Sequence, residues 1–121
     1  MTFREVLAKI VDGTPGAVAA TVMGQDGIAI DEYIARPTLD LAAVAVESEQ
    51  FLTQARKVCG SLFEHPENRL EELVLTTRSN QLLFREIDRE YFLIVVLDEF
   101  GVLGKARYLV ASTLQELREE L

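Results

Sequence analysis

Two segments of this 121-residue chain, 17–23 and 91–97, are apolar along their length with at most one polar interruption each. Neither approaches the ~20 residues that span a bilayer. As strands they carry apolar side chains on both faces, because successive residues of a strand point to opposite sides. Such strands need cover above and below and belong in the interior of a sheet. The chain must therefore build a sheet with a layer on each side, using the rest of its residues.

The remaining patterns supply those layers. Thr2-Phe3-Arg4-Glu5 is a capping box. Phe3, Val6, Leu7, Ile10 and Val11 follow at helical spacing, and Asp12-Gly13-Thr14-Pro15-Gly16 stops that helix. Gly24-Gln25-Asp26-Gly27 reads as a hairpin turn between the first strand and a second over 28–34. Arg36-Pro37-Thr38 breaks the pattern, and a long helix is expected from about residue 39 to 63, closed near His65-Pro66. Strands over 70–77, 81–87 and 91–97 come next, joined at Arg78-Ser79-Asn80 and Asp88-Arg89-Glu90. A last helix from about Val102 places Val102, Ala106, Leu109, Val110, Thr113, Leu114 and Leu117 on one stripe.

The order is α-β-β-α-β-β-β-α. Short links make sequential strands antiparallel. With strands one and five central, the five-stranded antiparallel sheet takes the order 2-1-5-4-3. The expected fold is α+β, an α/β sandwich forming one domain over 1–121, with the long helix on one face and the two terminal helices on the other. The long helix turns Leu41, Val44, Ala45, Ser48, Phe51, Leu52, Ala55, Val58, Cys59 and Leu62 toward the sheet.

Composition narrows function. Hydrophobic residues are 49% and charged residues 26%, the balance of a globular domain. Twelve basic against twenty acidic residues give a net charge of −8, and the basic residues are scattered. A nucleic-acid partner, which requires a basic footprint, is not expected, and neither is insertion into a membrane. The opening residues put Glu5 where a secretory signal needs apolar residues, so a cytoplasmic location is expected.

Catalytic chemistry finds few residues to use. The single Cys59 and single His65 cannot make a zinc site within one chain. Cys59 reads as a small buried hydrophobe, and His65 lies in a loop before Pro66. Gly101-Val102-Leu103-Gly104-Lys105 lacks the spacing of a phosphate-binding loop. Glu71-Glu72, Asp98-Glu99 and Glu119-Glu120 read as solvated surface, as do Arg78, Arg85 and Arg107. No enzyme activity, cofactor or metal is expected.

Two surfaces stand out instead. In the first half of the long helix, Ala42, Ala43 and Val46 point away from the sheet, and no other element remains to cover them. Val46 is β-branched, which helix propensity does not favour, so a partner surface is expected there, continuing through Glu49, Gln50, Thr53 and Lys57. Strand three lies at a sheet edge, and Leu73, Val74, Leu75 and Thr76 carry no Pro or Lys to protect it. Pairing with a second copy about a twofold axis is expected.

Gly24-Gln25-Asp26-Gly27-Ile28-Ala29-Ile30, Asp88-Arg89-Glu90-Tyr91-Phe92-Leu93-Ile94-Val95-Val96 and Leu103-Gly104 with Arg107 resemble, in order and spacing, the first hairpin, the last turn and strand, and the opening of the last helix of the Roadblock (dynein light-chain) family. The bacterial MglB-like branch is the nearest in kind. The resemblance covers almost the whole chain. It implies a homodimer formed through strand three, with the two long helices side by side on a continuous sheet. It also implies a Ras-like small GTPase docked over that helical pair, and a non-enzymatic role in stimulating the GTPase's hydrolysis. Carried onto this chain, the GTPase-binding face is Ala42, Ala43, Val46, Gln50 and Thr53. The alternative implied by the dynein-associated members is a structural adaptor bridging a larger complex. A small-ligand sensor rests only on an outline likeness to profilin- and PAS-type architectures.

Overall fold

The computed structural model describes residues 2–36, 39–62 and 67–121. Helix α1, Phe3–Gly13, begins at Thr2, whose Oγ1 accepts the Glu5 amide at 3.2 Å, and buries Val6, Leu7, Ile10 and Val11. At its other end Thr14 is buried and its hydroxyl donates to the Ile10 carbonyl at 2.8 Å. Gly16 follows with φ +77°, and a Cβ there would meet the Gly101 backbone at 2.5 Å. Both the dihedral and the contact require glycine at this crossing of two loops.

Five strands follow the expected order: β1 Ala17–Gly24, β2 Ala29–Ile34, β3 Glu72–Thr76, β4 Gln81–Glu86 and β5 Tyr91–Leu97. The sheet runs β2-β1-β5-β4-β3, with every neighbouring pair antiparallel. Both strands at the centre, β1 and β5, are buried along nearly their whole length. A bulge between Val22 and Met23 shifts the β1–β2 register at the end nearest the turn.

Each face has its own core. Helices α1 and α3, Leu103–Glu120, cover one face, where Leu7, Ile10, Leu114 and Leu117 pack on Val22, Leu93 and Val95. Helix α2, Leu41–Ser61, covers the other, where Leu41, Ala45 and Leu52 pack on Met23, Phe84, Phe92 and Ile94. Phe51 meets the Phe84 ring edge-on, with centroids 5.2 Å apart and planes at 87°, the geometry that aromatic quadrupoles favour. The three-layer arrangement is the one that two doubly apolar strands demand.

Several boundaries and contacts differ from the sequence expectation. Helix α2 starts at Leu41 rather than 39, because the Asp40 side chain caps it by accepting the Ala43 amide at 3.1 Å. The expected break at Pro37-Thr38 and the expected close of the helix, at Phe63 through His65-Pro66, lie outside the described residues. Val58 and Leu62, placed in the core arc by helical projection, are exposed. The inward line of α2 runs instead through Leu52, Ala55, Arg56 and Cys59, with the Arg56 guanidinium 4.6 Å from the centre of the Phe92 ring. Cys59 is half-buried. Strand β2 starts at Ala29 because the Ile28 amide is taken by Asp26 Oδ1 at 3.0 Å in the turn, which leaves the Ile28 side chain in solvent. Strand β3 starts at Glu72, while Leu70 is buried against the α2-side core before the strand begins. Val102 precedes α3 and is exposed.

Candidate functional site

The first half of α2 presents Ala42, Ala43 and Val46 outward, followed by Gln50 one turn on, and all four are exposed. Val46 is 61% exposed, a large value for a β-branched apolar side chain on a helix that has a sheet beneath it. Thr53 is half-buried, and its hydroxyl donates to Glu49 Oε1 at 3.2 Å. Helical spacing thus brings all five expected residues to the side of α2 away from the sheet.

One neighbour of this face was not foreseen. The β1–β2 turn reaches α2 at Gly27, which is buried with φ +83°; a Cβ there would lie 3.4 Å from the Glu49 Cβ and 3.6 Å from the Val46 Cα. The turn therefore rests on the helix flank, and Glu49 is partly covered rather than part of an open face. Ile28, next in the turn, is 66% exposed. In the sequence Ile28 reads as a strand residue. The cue available there was Asp26-Gly27, whose Asp side chain and left-handed glycine hold the turn one residue longer.

At the opposite side of the sheet, β3 pairs only with β4 among the described residues. The Glu86 amide donates to the Glu71 carbonyl and the Thr77 amide to the Asn80 carbonyl, both at 2.9 Å. These bonds set the phase of the ladder. Residues 71, 73, 75 and 77 bond to β4, whereas the amides of Glu72, Val74 and Thr76 point to the open edge. Leu73 packs toward the α2 side and Val74 toward the α1/α3 side, while Leu75 and Thr76 are exposed. The edge offers alternating free donors together with apolar side chains.

Its charges are held from within the chain. Arg107 on α3 forks onto the Glu72 carboxylate, and this hydrogen bond, then the charge itself, raises the arginine pKa further. Arg85 approaches Glu71 at 3.8 Å. The two adjacent carboxylates thus serve different arginines and do not converge as an acid–base pair. Among the described residues no three His, Cys, Asp or Glu side chains are grouped to hold a metal ion. No helix among them is long and apolar enough to cross a membrane.

No protein-family model matches the sequence, and no curated protein sequence matches it. Solved structures do. A Roadblock/LC7 domain from Streptomyces avermitilis superposes with a TM-score of 0.82 at 15% identity, over 98% of this chain and 97% of that one. The gliding protein MglB from Thermus thermophilus gives a TM-score of 0.84 at 22% identity, over 96% and 85%. These two likenesses establish a shared fold. MglC from Myxococcus xanthus is 31% identical over 100% of both chains, with a TM-score of 0.70. Identity at that level along the entire length, on the same sheet and helix layers, is more than a common architecture, and the chain belongs to the Roadblock/LC7 family, in its MglB-like branch.

Proposed function

We propose that the protein is a non-enzymatic regulator that dimerises through the β3 edge, binds a Ras-like small GTPase on the outer face of α2, and stimulates its GTP hydrolysis. The observation that carries this reading is the exposed apolar stretch of Ala42, Ala43 and Val46 on a helix whose other side packs on the sheet through Leu41, Ala45 and Leu52. Family membership supports the choice of partner. The free amides of Glu72, Val74 and Thr76 support the dimer, since an unprotected edge pairs most simply with its own copy. The name gliding protein, carried by the similar Thermus MglB, makes surface motility the first process to test.

The residue types on the α2 face limit the mechanism. Ala42, Ala43, Val46, Gln50 and Thr53 include no cation to neutralise transferring phosphate and no general base. Stimulation would come from holding the GTPase switch loops in the geometry where the GTPase's own groups act.

The test is capture from cell lysate on the immobilised protein, once with a non-hydrolysable GTP analogue and once with GDP. The expected result is a Ras-like GTPase retained only with the analogue, whose purified form then turns over GTP faster when the protein is added. Equal retention in both states, without faster turnover, would replace the regulator with an adaptor, because a regulator of turnover must distinguish the nucleotide states.

A further inference from the structure

The C-terminal half of α2, the segment 67–70 and two hairpin turns surround a cleft of about 620 Å3. Arg56, Arg69 and Arg89 line it, with Glu67 and Glu86. In a chain of net charge −8 this is a local excess of positive charge. Arg69 and Glu86 pair with each other. Arg56 and Arg89 have no ion pair within 4 Å among the described residues.

Arg56 is the unusual member. Its guanidinium lies over the Phe92 ring, and its Nε is buried without a hydrogen-bond partner. Burial lowers the Arg56 pKa and Glu49, at a distance, opposes that shift. Contact with the ring restrains the group in advance, and its Nη1 and Nη2 groups carry the donors left for an anion in the cleft. The surroundings are equally fixed. The Gln25 amide donates to the Glu90 carbonyl at 3.0 Å, and Gln25 Nε2 donates to the Arg89 carbonyl at 2.5 Å, so the two turns are tied together. Asn68 Nδ2 donates to the Cys59 carbonyl at 2.9 Å and ties the third wall to α2.

We infer that this cleft binds a small oxyanion, the phosphate or carboxylate of a soluble ligand, with Arg56 and Arg89 as its donors and Arg69 held in place by Glu86. Planar guanidinium groups match both oxyanions with paired hydrogen bonds. The site uses none of the residues assigned to GTPase docking, so it stands or falls separately.

Isothermal titration of the full chain with pyrophosphate and with malonate, at constant ionic strength, tests it. The expected result is saturable binding of at least one probe at millimolar concentration. Arg56→Gln and Arg89→Ala should each weaken it by about tenfold or more, the scale of a lost charge-assisted hydrogen bond. Arg78→Ala removes the same charge in the turn at the far end of β4 and should leave binding unchanged. Arg89 is exposed, so its variant keeps the test valid if Arg56→Gln fails to fold. A preference for pyrophosphate assigns a phosphorylated ligand, and a preference for malonate assigns a carboxylate. No binding of either probe, binding indifferent to Arg89→Ala, or equal weakening by Arg78→Ala would overturn the inference.

Discussion

Arg107 on α3 grips Glu72 at the start of β3, with Nε to Oε1 at 2.9 Å and Nη2 to Oε2 at 3.2 Å. The pair joins the last helix to the strand at the sheet's open edge. It also places a positive group against the Glu72 carboxylate beside that edge.

Removing the fork by Arg107→Met should therefore lower stability only slightly. The pair is half-exposed, so solvent screening limits its contribution to about 1 kcal/mol at most. Urea denaturation of the variant should show a small shift in midpoint with an unchanged slope. A loss of several kcal/mol would mean that Arg107 also carries packing.

The α2 core should respond far more strongly. Leu52 is fully buried between α2 and the sheet. Leu52→Ala removes that contact and leaves a cavity, with an expected cost of about 2–5 kcal/mol. The same denaturation experiment reads it, and a cost under 1 kcal/mol would show that α2 settles onto the sheet when Leu52 is trimmed.

Val46→Asp should separate docking from folding. Val46 is mostly exposed, so the variant should keep the wild-type melting curve. On the proposed function it should lose GTPase capture, because an unpaired carboxylate desolvated in an apolar contact is costly. Undiminished capture by the folded variant would remove the α2 face from the proposal.

The β3 edge gives a test of the dimer that spares the monomer. The Val74 amide points outward, so Val74→Pro deletes no hydrogen bond within the sheet, and an edge strand tolerates proline there. Sedimentation equilibrium should give twice 13.5 kDa for the wild type and 13.5 kDa for the variant. A wild-type monomer would remove the dimer from the proposal, and a variant that remains dimeric would place its interface elsewhere.

Asp98 should titrate below the ordinary aspartate value of 3.8. The main cause is the Phe100 amide, which donates to its carboxylate at 2.8 Å; Arg36 adds to it, and burial works against both. A carboxylate with a depressed pKa contributes stability that is present above its unfolded pKa and is lost as pH falls through the folded one. The loop at Gly16 and Gly101 should accordingly loosen only in strong acid. Carboxyl-carbon NMR should show the low pKa, and Arg36→Ala should raise it part of the way, since the Phe100 amide remains.

How much of this was legible depended on the kind of signal. The doubly apolar runs at 17–23 and 91–97 placed β1 and β5 at the centre, and the sheet order followed from the short links. Helical spacing also put Ala42, Ala43, Val46, Gln50 and Thr53 on one side of α2. The inward turn of Arg56 was not legible. A charged residue in a helix reads as solvated unless the ring that will lie beneath it is known, and Phe92 belongs to the last strand. Val58 and Leu62 were misplaced for the complementary reason, because a projection describes a helix without saying where its sheet ends.

By itself the sequence determined the element order, the layers and the sheet topology, because apolar periodicity and turn chemistry are recorded among near neighbours in the chain. Only the tertiary structure decided which side chains meet across it: Arg107 with Glu72, 35 residues apart, and Gln25 with the Arg89 carbonyl, 64 apart. Those contacts depend on how two packed elements are set against each other to within a hydrogen-bond length, and no pattern within either element fixes that distance.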